Sequence, residues 1–467
     1  MRFPSWLRRL SAPLSRTRTA PTRQRRTFRP RLEVLEDRLT PSGGGLLDPT
    51  FGSGGIVHLP STTDQQARVV AVQPDGKVVV AGAIVPRGAY EYITVQRLNT
   101  DGSLDTTFNN TGSLTITSGK VDSLDALALQ PDGKILIGGS GGKLGGEFLV
   151  ARVNPNGTLD TSFGNSRGLE VLTNVGEVRG LAVLTDPANP NNVTGIVAAV
   201  QGSANGTSCF EAVELSGAGK LNSSFGSGGL AVFANLYHGD VESVAVAPSG
   251  EIYLAGYVQF SSMTVPDGCV AAVTPSGALD TTFGGGAGYV LADPTGSHES
   301  EFYALAVQTL TANGQTVSRL LAAGDITDAT GNYAGLVSAY TLGGTLDTTF
   351  GSGGSYTFVN PPGQSSQFKS LALEADGSIV VGGYQTTPPT NGTIYSEMLV
   401  GHLTAAGAAD TSFGPSGTGF TTVQDGLNSE VLGVAIDPTD GNILACGYTQ
   451  TTSNAARQAD ILRLTAP

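Results

Sequence analysis

The chain has 467 residues, of which 65 are glycine and 14% are charged, with a formal net charge of −13 at neutral pH. This profile excludes a charge-rich disordered protein, and glycine without a three-residue period excludes collagen. No apolar run approaches the roughly 18 residues of a membrane-crossing helix, and an acidic body repels nucleic-acid phosphate.

The charge is split along the chain. Residues 1–43 hold eleven arginines, no lysine and three acids (Glu33, Glu36, Asp37), a net +8, so the remaining 15 basic and 36 acidic residues carry −21. Self-repulsion and few large apolar side chains predict disorder over 16–31. The segment lacks the apolar core of a secretory signal. It ends on Leu-Glu-x-Leu-Glu-x-Arg-x-x-Pro-Ser over 32–42, which resembles the close of leader-like tails on large exported bacterial proteins. That resemblance implies export to a surface or extracellular home. The other reading is an arginine-rich arm that adheres to anionic polymers. Gly43, Gly44 and Gly45 read as a linker, dividing the chain into a tail (1–45) and a folded body (46–467).

The body repeats. A Leu-Asp-x-[Ser/Thr]-Phe-Gly motif, or a close relative, places phenylalanines at Phe51, Phe108, Phe163, Phe225, Phe283, Phe350 and Phe413, in steps of 57, 55, 62, 58, 67 and 63 residues. A period of this length means one supersecondary unit per repeat. In the first unit, 68–73 is a β-branched run stopped by the turn Pro74-Asp75-Gly76. A second strand at 77–82 makes a hairpin with it. A third follows at 92–98, then the turn 99–102 and an outer strand reaching Ile116. Four antiparallel strands per repeat are a propeller blade. The third and fifth repeats replace the first turn with 186–192 and 309–319, and lengthened hairpins are expected there.

The inner strands share a pattern. Each centres on an alanine (Ala71, Ala128, Ala182, Ala245, Ala306, Ala372, Ala435) flanked by Val, Leu or Ile. Two positions earlier stands a smaller or modest residue: Val69, Ala126, Gly180, Ser243, Ala304, Ser370 or Gly433. A bulky face and a slim face suit blades stacked around an axis at interior density. The body opens at 46–52 with an outer-strand motif and ends at 461–467 in a third strand without one. The expected fold is therefore all-β: a seven-bladed propeller of four-stranded antiparallel blades, closed by 46–59 joining the last blade, with the tail disordered.

The motif aspartates, Asp48, Asp105, Asp160, Asp280, Asp347 and Asp410, with Asn222 in the third repeat, read as turn caps, because Asp and Asn both accept a backbone N–H two residues on. Repetition argues against seven active sites. The combination of Leu104-Asp105-Thr106-Thr107-Phe108, 71–77 and 95–102 resembles the delta-60 repeat family of bacterial proteins across 46–467. The resemblance implies an extracellular or surface repeat protein, and it implies no established reaction or ligand.

Candidate sites are few. Cys209, Cys269 and Cys446 read as buried free thiols, and the scattered histidines give no zinc spacing. No P-loop or nucleophile elbow is present. No metal or cofactor is expected, with calcium in the acidic loops left open. The residues three before each inner-strand alanine, Arg68, Asp125, Arg179, Glu242, Tyr303, Lys369 and Leu432, should ring one mouth of a central channel. They read either as a self-neutralising rim or as a ligand site. The enlarged loops 184–194, 308–319 and 384–396 are further recognition candidates. The leading expectation is a monomeric, non-catalytic binding or scaffold module for a protein or polysaccharide. The alternatives are an exported propeller hydrolase or lyase with a site at the channel mouth, and anionic-polymer binding through the tail.

Overall fold

The computed structural model describes residues 43–467 except 60–62, 86–90, 119–122, 142–145, 166, 261–262, 264, 294–297, 313–314, 389–392 and 453–454. The expectations for the tail at 1–42 lie outside the described residues, and those for 308–319 and 384–396 lie partly outside. The folded unit starts at Gly43. The glycines expected to form a linker are tied down, since Gly45 N–H donates to Thr465 O at 2.8 Å.

The described residues form an all-β protein without an α-helix. Five sheets have four antiparallel strands each, and one has eight. In the eight-stranded sheet a single parallel bridge, Ser396 to Asn428, joins two four-stranded units. The first sheet is Asp64–Val72, Val78–Val85, Tyr92–Leu98 and Ser113–Ile116. The order follows the sequence because each connection is a hairpin, and the Gly76 of the first turn sits at φ 79°, where only glycine is unstrained. The long hairpins are Glu177–Asp186 with Asn189–Ala204, and Ser300–Ala312 with Gln315–Thr327. No hydrogen-bonded sheet closes on itself among the described residues. Neighbouring sheets meet through side chains.

Those side-chain cores alternate along the chain. Val79 and Ala81 of the first sheet pack with Ile135 and Ile137 of the second, and the same interleaving continues to the last sheet. Val78 and Val80 pack with Phe51, Leu444, Cys446 and Ile461. The strand Ile56–His58 pairs antiparallel with Gln458–Leu464, Ile56 opposite Leu462. The slim inner-strand positions allow close approach. A Cβ on Gly180 would stand 3.0 Å from Val244 N of the next inner strand. One on Gly433, in the last repeat, would stand 3.1 Å from Arg68 O in the first. Ser243 Oγ accepts from Leu305 N–H, and Ser370 Oγ from Val434 N–H, both at 3.1 Å across the same seam.

Each motif phenylalanine is buried. The residue after it donates to a carbonyl in the turn of the following repeat: Asn109 to Asn156, Gly164 to Ala218, Gly226 to Ser276, Gly284 to Gly343 and Gly351 to Ala406. Gly52 donates in the same way to Asp101, and Gly414 donates to Gly44.

Candidate functional site

Every inner strand carries a β-bulge, and it falls at the same place in each repeat. The pairing skips one residue between Ala67 and Val69, Leu124 and Ala126, Val178 and Gly180, and Val241 and Ser243. It does so again between Phe302 and Ala304, Phe368 and Ser370, and Val431 and Gly433. The skipped residues are Arg68, Asp125, Arg179, Glu242, Tyr303, Lys369 and Leu432. A bulged residue leaves the ladder and its side chain is re-aimed. All seven line one cavity of about 360 Å³, together with Gln66, Glu430, Tyr448 and Arg457. The row read from the sequence is thus brought together. Sequence reasoning missed the remaining four lining residues, which lie in the first and last repeats and in a loop.

Charge in the cavity is interleaved. Arg68 Nη1 bonds Asp125 Oδ1, and Arg179 reaches Asp125 at 3.5 Å and Glu177 at 3.4 Å. Lys369 Nζ stands 3.4 Å from the centre of the Tyr303 ring, a cation–π contact. The Tyr303 hydroxyl donates to Glu301. Tyr448 donates to Glu430 at 3.0 Å, and Arg457 lies 5.0 Å over the Tyr448 ring. Burial pushes Glu242 up to about 7 against the pull of Arg179. Burial likewise lifts Asp325, behind the cavity wall, to about 7 although Lys369 opposes it. Burial lowers Lys369, while Glu430, Asp325, Glu301 and Glu242 oppose that change. Both carboxylate oxygens of Asp325 are buried without a hydrogen-bond partner.

The motif aspartates occupy the opposite end of the third strand and make turns. Oδ1 of Asp48, Asp105, Asp160, Asp280, Asp347 and Asp410 accepts from the backbone N–H two residues on, at 2.9–3.1 Å. Asn222 does the same toward Ser224 at 3.2 Å. Sequence reasoning missed what the second oxygen does. Asp105 Oδ2 takes Arg97 Nε at 2.8 Å and Asp160 Oδ2 takes Arg152 Nε at 2.9 Å. These arginines lie 4.9 and 4.6 Å over Phe108 and Phe163. In the third repeat the polarity reverses, with Asn222 Nδ2 donating to Glu214 at 2.7 Å. An eight-residue spacing, Arg97 to Asp105 and Arg152 to Asp160, was the available signal. The three cysteines are free and buried.

The enlarged hairpins lie at the far ends of their strands from the bulges. Leu184, Thr185 and Pro187 from one and Val307 and Thr309 from the other line a second cavity, of about 660 Å³, with the turn 247–250 between them.

Segments 73–108, 130–163 and 247–283 match a family model described as "Domain of unknown function (DUF5122) beta-propeller". Each runs from a first-hairpin turn to a motif phenylalanine. Over these segments the all-β chain has the character of β-propeller repeats. No curated protein matches it. Among solved structures it is similar to polysaccharide lyase Uly1, at 12% identity over 86% of this chain and 90% of that one, with a TM-score of 0.45. It is also similar to Drosophila Semaphorin 2a, at 9% identity over 91% and 76%, with a TM-score of 0.46. For Drosophila Semaphorin 1b, extracellular domains 1-2, the values are 9%, 90%, 87% and 0.41. No helix among the described residues is long and apolar enough to cross a membrane.

Proposed function

We propose that this chain is a non-catalytic binding module of the cell surface or extracellular space. In this reading it is a seven-bladed propeller, closed by residues 46–59, that holds a polar, sugar-sized ligand at one mouth of its channel. The blade number is supported by six equivalent inter-repeat bonds and by a seventh, Gly414 to Gly44, which with Gly52 to Asp101 involves the start of the folded unit. Export is supported by the tail motif over 32–42 alone. The observation that carries the binding role is the convergence of seven bulged side chains, of six residue types, on one cavity. Structural positions in this protein repeat, as the caps and phenylalanines do, whereas this row holds six residue types in seven repeats, with only arginine used twice. A cavity of this size with interleaved donors and acceptors suits a hydroxylated ligand. Thermal-shift screening against neutral and acidic oligosaccharides tests it. A hit in the wild type that disappears in Lys369→Ala and Arg179→Ala is expected. A hit that survives both substitutions would place binding elsewhere.

A second reading is favoured by one feature. Glu242, in the cavity wall, is held at about 7 by burial, the range in which a carboxyl serves as general acid or base. Turnover of any oligosaccharide by the wild type, abolished in Glu242→Gln, would select a hydrolase or lyase over a binder.

A further inference from the structure

Away from the channel, where Ile56–His58 pairs with Gln458–Leu464, three metal-ligating side chains face one another. His58 Nδ1 lies 2.7 Å from Asp460 Oδ1 and 3.7 Å from Asp425 Oδ2. The ligand atoms of His58, Asp425 and Asp460 all lie within 4.8 Å of one another. Ligands at about 2.0–2.2 Å from a tetrahedral ion stand about 3.4 Å apart, and the two separations bracket that value. The second observation is independent of this clustering. The Asp460 side chain is 1% exposed, yet its Oδ2 has no hydrogen-bond partner, and Asp425 Oδ2 is also buried and unpartnered. Buried carboxylate oxygens are ordinarily satisfied, and one imidazole cannot by itself balance the charge of two carboxylates.

We propose that His58, Asp425 and Asp460 form a binding site for a single first-row divalent cation, with Zn²⁺ the best fit. One imidazole nitrogen and two carboxylate oxygens suit a borderline metal better than calcium or magnesium, which take oxygen sets of six or more. Water completes the coordination, since His58 and Asp425 are partly open to solvent. The three ligands come from separate segments: the strand Ile56–His58, the strand Gln458–Leu464, and the stretch after Phe420–Val423. A bound ion therefore staples the start of the folded unit to its end and to the other four-stranded unit of the eight-stranded sheet. Neither the turn caps nor the channel row contributes a ligand, so the site stands or falls apart from the proposed binding function.

The test uses the untagged full chain, stripped with chelator and titrated with Zn²⁺, Co²⁺, Ca²⁺ or Mg²⁺. Calorimetry should find one Zn²⁺ per chain, and the melting temperature should rise with Zn²⁺ and not with Ca²⁺ or Mg²⁺. Bound Co²⁺ should show visible absorption of tetrahedral or five-coordinate intensity. His58→Ala and Asp425→Asn, both partly exposed and therefore tolerable to the fold, should each weaken Zn²⁺ binding more than about tenfold, because loss of even a supporting residue costs 10–100-fold. The proposal is overturned if no Zn²⁺ binds, if either variant binds it as the wild type does, or if Ca²⁺ stabilises as well as Zn²⁺. The first outcome would make this an Asp–His ion pair only.

Discussion

At the scale of single residues, the third repeat is a natural substitution experiment. Where other repeats set Arg97 on Asp105 or Arg152 on Asp160, it sets Glu214 on Asn222. The backbone bond is the same in both forms, Asp160 N–H to Arg152 O and Asn222 N–H to Glu214 O, each at 2.9 Å. Geometry is thus conserved while charge is exchanged, so the pair need only be complementary. Arg152→Glu alone leaves two buried carboxylates facing each other and should cost about 3–5 kcal/mol, the price of breaking a buried pair. Adding Asp160→Asn should recover most of that loss. Chemical denaturation of the single and double variants checks it, and a double variant no more stable than the single would remove the argument. Asp160 itself shows how the pair works. Burial would raise its carboxyl, but the Ser162 hydroxyl and N–H, then Arg152 and Lys134, hold it down to about 2.

Glu242 runs the other way, and its sign gives a pH prediction. Its folded value is about 7 against an ordinary 4.5, so between those values the folded chain keeps a proton that the unfolded chain releases. Stability from this residue therefore falls as pH rises through that window and is level above it. Glu242→Gln should flatten the window, gaining about 1–3 kcal/mol at pH 8 and little at pH 4. Melting temperatures of the two proteins across that range provide the check. Parallel curves would mean that Arg179 already neutralises Glu242.

At the scale of elements, the bulge decides where the sequence could be read and where it could not. The hairpins, the long third and fifth excursions and the caps follow from local signals: proline and glycine in turns, alternation in strands, aspartate two residues before a backbone donor. The third strand, Tyr92–Leu98, has its expected limits. The second was expected to stop at Gly82, yet it runs through it to Val85. Gly82 is not a strand end. It lies opposite the bulge, where a Cβ would come within 1.8 Å of Gln66 O. Gly324, Gly383 and Gly447 meet the equivalent carbonyl at the same distance. The recurring glycine was thus the visible trace of a bulge, but a glycine in a strand pattern also reads as a terminator, and only the pairing separates the two. Gly82→Ala should therefore destabilise far more than the roughly 1 kcal/mol of an ordinary strand substitution, because backbone atoms must move. It should also shift Arg68 and Asp125. A ΔΔG near that ordinary value, by urea denaturation, would mean the bulge yields easily. The Arg97–Asp105 type of pairing was equally visible as a spacing of eight, but nothing in one repeat marks the arginine as turning inward over Phe108. Of the cavity's other walls, Gln66 and Glu430 stand two residues before the bulged residue, as Glu301 and Gln367 do, and Tyr448 follows its glycine as Tyr384 follows Gly383, while Arg457 is placed only by the fold.

For the folded unit as a whole, the question is what holds its start to its end. Asp48 N–H donates to Arg463 O at 2.8 Å, as Asp105 does to Arg97 at 2.9 Å. Phe51 lies under Arg463, at 6.0 Å, as Phe108 lies under Arg97. Arg463 also reaches Asp437 and Asp440 and donates to Thr100 O at 2.7 Å. The segment 43–59 thus makes to the strand Gln458–Leu464 the backbone bond that each later motif makes to the strand just before it, and the arginine–phenylalanine contact of the first two. The energy of those contacts does not depend on which peptide bonds connect them. Deleting 1–59 should strip Phe51 from its pocket, at about 3–5 kcal/mol for that side chain alone, and expose the edge of Gln458–Leu464 to self-association. A permuted chain beginning at residue 63 and carrying 43–59 behind Pro467 on a short flexible linker should regain the melting temperature and stay monomeric, because Gly44 already lies against Ala466 and Pro467. Light scattering and thermal melting of the two proteins separate the cases. If the deletion melts and sediments as the full chain does, the segment is an ornament on a body closed by other means. If both it and the permutant aggregate, position alone does not suffice and the covalent order matters for folding.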